Sequence, residues 1–142
     1  MDLRLAFPRL IPQNHSLASP ATAEYNCIAF AAGDQRRWWW PDPARISHWP
    51  STAAREETIA AFQQAYGSLG YELCANAKLE IGFEKIALYA IGGAPTHAAR
   101  QLPDGRWVSK LGELEDIEHA SLDILAGALY GEVVAVLRRA VP

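Results

Sequence analysis

Between Lys85 and Leu111 the chain runs through three extended segments separated by two glycine-bearing turns, and little but an antiparallel meander can satisfy that pattern. Lys85-Ile86-Ala87-Leu88-Tyr89-Ala90-Ile91 reads as a buried strand that stops at Gly92-Gly93, and Thr96 to Leu102 reads as a second. Pro103-Asp104-Gly105 is a strong turn: proline fixes φ, aspartate bonds local backbone, and glycine accepts the conformation the reversal needs. Arg106 to Leu111 then returns as a third strand, and Glu132 to Leu137, after Gly131, predicts a fourth.

The first half has a different rhythm. Residues 1–21 carry Pro8, Pro12 and Pro20 and read as an irregular lead-in. A helix is predicted from a cap at Ser19 or Thr22 through Tyr25, Cys27, Ala29 and Phe30 to Gly33. Its start matters, because a cap at Asn26 places Cys27 in the first turn. Residues 36–50 hold Trp38, Trp39, Trp40 and Trp49 among three prolines, a loop that regular structure cannot accommodate and that its indoles must anchor. Ser51 or Thr52 then starts a helix in which Ile59, Phe62, Tyr66 and Leu69 recur at helical spacing up to Gly70. Glu113 to Glu118 reads as a solvated acidic face or helix entry, with Asp116 and His119, three apart, lining a cleft as the alternative, and residues 121–125 as a short helix. The expectation is a single α+β domain over residues 1–142: a helical half (22–70) bearing Cys27, packed on an antiparallel sheet of about four strands (85–142).

Composition narrows the function. The net charge of −3 provides no basic field for nucleic acid or an anionic membrane, and Arg36-Arg37 beside the tryptophans is too small to change that. No apolar run approaches the roughly 18–20 residues of a membrane span. The N-terminal residues, interrupted by Arg4, Pro8 and Arg9, lack the core of a signal peptide, so the expected compartment is the cytoplasm. The two cysteines, Cys27 and Cys74, form no disulfide framework and no C-x-x-C, and the four histidines lack paired ligand spacing. No metal or cofactor is implied.

A thiol becomes a nucleophile when something lowers its pKa or removes its proton. A helix N-terminus offers partial positive charge and free N–H groups, and an imidazole offers a base. Cys27 and His97 are the residues that match. His97 opens a strand next to Ala98 and Ala99, whose small side chains leave a ring accessible. If 102 pairs with 106, then 97, 99 and 101 share a face with 107, 109 and 111, and Ser109 lies beside His97; a one-residue change of turn substitutes Lys110. Gln101 and Asp116 are further candidates for the third group. Trp38, Trp40 and Arg37 are the candidates for binding substrate, as an aromatic wall with a cation to meet a carboxylate.

The order of a helix-borne Cys27, a strand-borne His97 and a polar residue on the next strand resembles the papain-like thiol hydrolases, in particular the compact NlpC/P60 type. That resemblance, carried by residues 25–34 and 85–111, implies cleavage or transfer of an amide bond through a thioester, with Ser109 at the third catalytic position, where such enzymes use His, Asn, Gln or Asp. The chain also resembles an uncharacterised bacterial family over its Asn26-Cys27-Ile28-Ala29, Trp38-Trp39-Trp40-Pro41, Pro95-to-Gln101 and Ser109-to-Gly112 segments. The substrate expected is a peptide or another amide. Two alternatives stand beside this: a protein- or peptide-binding domain with an inert Cys27, and an effector or toxin module using the same thiol.

Overall fold

The computed structural model describes residues 3–141. Seven strands form its sheet: β1 (His15–Ser19), β2 (Glu72–Leu73), β3 (Phe83–Ile91), β4 (Ala94–Gln101), β5 (Trp107–Lys110), β6 (Asp116–His119) and β7 (Glu132–Ala140). Their order is β1-β6-β5-β4-β3-β7-β2, and each neighbouring pair is antiparallel. Among the described residues helix is confined to α1 (Leu3–Ala6), α2 (Cys27–Ala31) and α3 (Ile59–Gly67), with 3-10 turns at Pro12–Asn14 and Leu122–Leu125.

This corrects the expected fold class. The sheet is nearly twice as wide as the four strands foreseen, and a helical half packed upon it does not exist. The helix predicted from Ser19 or Thr22 is five residues long and begins at Cys27, because Asn26 caps it, accepting from the Ala29 N–H. The helix predicted from Ser51 begins at Ile59, capped by Thr58. In between, backbone groups are held by side chains: Trp49 Nε1 donates to the Ala54 carbonyl, Ala54 N–H to Gln64 Oε1, and Arg55 reaches back to the Ser47 carbonyl. Such bonds compete with an i→i−4 ladder. Two of the unforeseen strands, β1 and β6, pair with each other: the lead-in is an edge strand, and the acidic segment is its buried neighbour, with Asp116 and His119 fully enclosed.

Alternation along the strands builds two cores. Ile86, Leu88, Ala98 and Val108 face α2, α3 and the Trp loop, where Phe62 and Tyr66 are fully buried. Ala87, Tyr89, Ala99 and Trp107 face the other way, toward Phe7, Leu10, Leu125 and Tyr130. No helix among the described residues is long and apolar enough to cross a membrane.

Candidate active site

Asn26 joins the start of α2 to the Trp loop. Its Oδ1 accepts from the N–H groups of Ala29 and Trp39, each at 3.1 Å, and its Nδ2 donates to the Trp39 carbonyl at 2.8 Å. One side chain thus caps α2 and fixes the Trp loop against it. The loop closes through Trp40 N–H to the His48 carbonyl and His48 N–H to the Trp38 carbonyl. Trp38 Nε1 donates to the Ala23 carbonyl, and Trp40 meets Phe62 edge-on.

Cys27 follows the cap and lines a cavity of about 380 Å³ whose walls are Trp38, Trp40 and Tyr130, with Thr96, Ser47 and Gly112 at its edges. Backbone N–H groups of Ala98, Ile28 and Cys27 itself lie against the sulfur and favour the thiolate, as does Lys110. Burial outweighs all of them and pushes the thiol up to about 11, the reverse of the depression expected from a helix N-terminus. At neutral pH Cys27 is therefore a thiol.

The strand register brings the polar groups of the sheet together. Leu102 N–H donates to the Arg106 carbonyl and Gln101 pairs with Trp107, so His97 and Ser109 share a face. His97 Nε2 is 3.0 Å from Ser109 Oγ, and Ser109 Oγ is 2.8 Å from His119 Nε2. His119 Nδ1 lies 2.9 Å from the Ser121 carbonyl. All three side chains are fully enclosed. Tyr130 stacks flat on the His97 ring, and Tyr89 meets it edge-on. Burial depresses the His97 imidazolium well below its ordinary range, with a smaller contribution from His119, and burial lowers His119 to about 4.

His97 Nδ1 is buried and has no hydrogen-bond partner among the described residues. Cys27 and His97 are not hydrogen-bonded. The ring leaves β4 on the Ser109 face, whereas α2 packs on the Ala98 face, and a register shift beside Tyr89 interrupts the alternation next to His97. The thiol and the ring thus flank one short stretch of backbone at the rim, with Tyr130 touching both the ring and the cleft.

The other candidates for the third group lie elsewhere. Lys110 points to the α2 side, donating to the Leu114 carbonyl beneath the Tyr25 ring, and Asp116 accepts from Tyr25 and Ser19. Gln101 donates to the Ala77 carbonyl. Trp38 and Trp40 line the Cys27 cleft, while Arg37 opens onto an adjoining groove and pairs with Asp34 at 2.9 Å. His119, weighed from the sequence only as lining the cleft with Asp116, is a further residue of the site; its spacing of two from Ile117, a core position, marks it as inward.

The family model of a domain of unknown function, DUF7689, matches residues 16–138, and the chain belongs to that family. No curated protein matches the chain, and no solved structure does.

Proposed function

We propose that the cleft at Cys27 is the active site of a thiol-dependent amide hydrolase or acyl transferase, with Cys27 as nucleophile and His97 as general base and then acid. The observation that carries this reading is the buried, unpartnered Nδ1 of His97. Leaving a buried ring nitrogen unbonded costs about 1–3 kcal/mol, and in this reading the Cys27 thiol, held against the Ala98 N–H one residue along β4, is the donor that meets it when substrate binds. Catalytic bonds that are open in a free enzyme commonly close when substrate binds.

In the reaction, Nδ1 takes the thiol proton as the sulfur adds to the amide carbon. The oxyanion is met by the N–H groups of Cys27 and Ile28 at the start of α2, which lie against the sulfur in the resting protein, while those of Ala29 and Phe30 are bonded to Asn26. His97 returns the proton to the amide nitrogen, the C–N bond breaks, and a thioester remains. Water then attacks it, giving a proton to His97 and regenerating the thiol; an amine in place of water gives transfer. A raised thiol beside a depressed imidazole means that the resting pair is neutral, with charge appearing only as the sulfur attacks. The aromatic cleft adjoins a second cavity of about 410 Å³ lined by Phe7, Leu111, Leu114 and Leu129, the two sharing Gly112 and Tyr130. This favours an amide flanked by a bulky apolar group.

The test is the rate of Cys27 alkylation by iodoacetamide against pH, read by mass spectrometry. General-base assistance predicts a plateau through neutral pH that disappears in His97→Ala, followed by a rise toward pH 11 in both proteins. Identical profiles for the two would refute it. The raised thiol favours one rival reading, an inert Cys27 in a cleft that binds an apolar peptide without cleaving it. That rival predicts a simple titration near pH 11, unaffected by His97→Ala.

A further inference from the structure

We infer that His119 is a positioning residue that fixes the proton of His97 through Ser109, so that Nδ1 of His97 is the bare, proton-accepting nitrogen. The inference rests on the proposed thiol chemistry for its use but on hydrogen-bond accounting for its content. A carbonyl oxygen only accepts, so His119 Nδ1, 2.9 Å from the Ser121 carbonyl, carries a proton. His119 is neutral, so its Nε2 is an acceptor, and the donor within reach is the Ser109 hydroxyl at 2.8 Å. A hydroxyl has one proton. With that proton committed to His119, Ser109 Oγ accepts from its other neighbour, and His97 Nε2 at 3.0 Å must donate. A neutral imidazole with its proton on Nε2 has none on Nδ1. The Ser121 carbonyl thus determines, through two rings and one hydroxyl, which nitrogen of His97 is basic.

The arrangement also accounts for serine at this position. A hydroxyl between two imidazoles passes orientation from one to the other, because accepting from one obliges it to donate to the other. With an apolar residue at 119, the hydroxyl is released, can donate to His97 Nε2, and can move the ring proton to Nδ1, where it blocks transfer from the thiol. Enclosure of all three side chains keeps competing solvent away.

Nitrogen-15 NMR of histidine-labelled protein reads the tautomer directly. The native protein is expected to show His97 protonated on Nε2 and His119 on Nδ1; a native His97 carrying its proton on Nδ1 overturns the inference without any variant. In His119→Phe the His97 proton is expected to shift to Nδ1 and the neutral-pH alkylation of Cys27 to fall about tenfold or more. His119→Gln, which can present an acceptor to Ser109, is expected to restore both. If His119→Phe leaves the His97 tautomer unchanged in a folded protein, or if Gln behaves as Phe does, the inference fails. A tautomer that follows residue 119 while alkylation ignores His97 retains the positioning and discards the thiol chemistry, so the two failures are distinguishable.

Discussion

Tyr130 lies on His97 with ring centroids 4.1 Å apart and planes 7° from parallel, and the same tyrosine forms one wall of the cleft that Cys27 lines. It is held there from both sides. Thr96 Oγ1 donates to its carbonyl at 2.5 Å, and Gly127 and Gly131 exchange backbone bonds around it. Gly131, at φ 74°, leaves no room for a side chain, since a Cβ there would come within 2.1 Å of the Ala90 carbonyl oxygen. The ring therefore shields the imidazole from water on one side and shapes the ligand space on the other.

Replacing Tyr130 separates these effects. Tyr130→Ala uncovers the imidazole, so its pKa should rise from far below 6.5 toward that value, as read by NMR titration of the ring. Stability should fall by about 3 kcal/mol, the usual range for deleting a large buried ring. Tyr130→Phe keeps the stack and should leave both quantities close to native. A His97 titration unchanged in Tyr130→Ala would show that the ring does not shield it.

The buried histidines make stability fall on the acid side in a defined window. Both are depressed in the fold, so the unfolded chain, titrating near 6.5, binds protons that the native state refuses. Their contribution is complete above about pH 6.5 and is lost as pH falls, the His119 share being exhausted near pH 4. Arg106 and His15 add repulsion at His119 in the same direction. Asp34, which burial would raise but hydrogen bonds from Trp39 and Arg37 hold at about 2, loses its contribution only below the ordinary carboxylate range near 3.8. Urea unfolding at pH 7, 5.5 and 4.5 should therefore show a progressive loss that His119→Gln partly flattens. A native protein equally stable at pH 7 and 4.5 contradicts the assignment of both rings as neutral.

The meander was legible because its turns are encoded locally: Gly92-Gly93 and Pro103-Asp104-Gly105 set the register that places Ser109 beside His97. The ends of the sheet were not. His15–Ser19 is a short edge strand with most of its residues exposed, and Asp116–His119 is polar, so neither shows the apolar alternation that marks a half-buried strand. They pair with each other across about a hundred residues of chain, and Asp116–His119 pairs on its other side with β5. The helices were overread for the converse reason. Their apolar spacing is genuine, but the residues before Cys27 and Ile59 direct their backbone groups to distant side chains. Of the site, Cys27, Trp38 and Trp40 share one cleft, whereas the bond between Ser109 and His119 depends on the pairing of β5 with β6 and has no local signature.

Asn26 ties the start of α2 to the Trp loop, so its loss should exceed that of an ordinary cap. Removing a capping side chain typically costs about 1 kcal/mol. Here Asn26→Ala also strands the N–H and the carbonyl of Trp39, both bonded to the same amide, and about 2–3 kcal/mol is expected. Asn26→Asp keeps the two acceptor bonds and gives up the donor bond to Trp39, so a smaller loss is expected. Equilibrium unfolding of the three proteins, followed by tryptophan fluorescence, orders them native, Asp, Ala. A variant Ala protein within about 1 kcal/mol of native would show that the loop is held by its indoles and not by this amide.

The cavity beyond Tyr130 provides the most direct test of ligand preference. Leu129 is 42 % exposed at its edge, facing Phe7, Leu111 and Leu114 across an apolar space that joins the Cys27 cleft at Gly112 and Tyr130. A peptidyl electrophile bearing leucine or phenylalanine next to its reactive carbon should alkylate Cys27 faster than its glycine counterpart. Leu129→Asp places a carboxylate where that side chain would sit, and the preference should drop by about tenfold. Iodoacetamide, too small to reach the cavity, should react at an unchanged rate, and an edge position this exposed should alter stability by only about 0.5 kcal/mol. Equal loss with both reagents would mean that the substitution disturbed the thiol itself, and no loss with either would place the apolar group of the ligand among Trp38 and Trp40 instead.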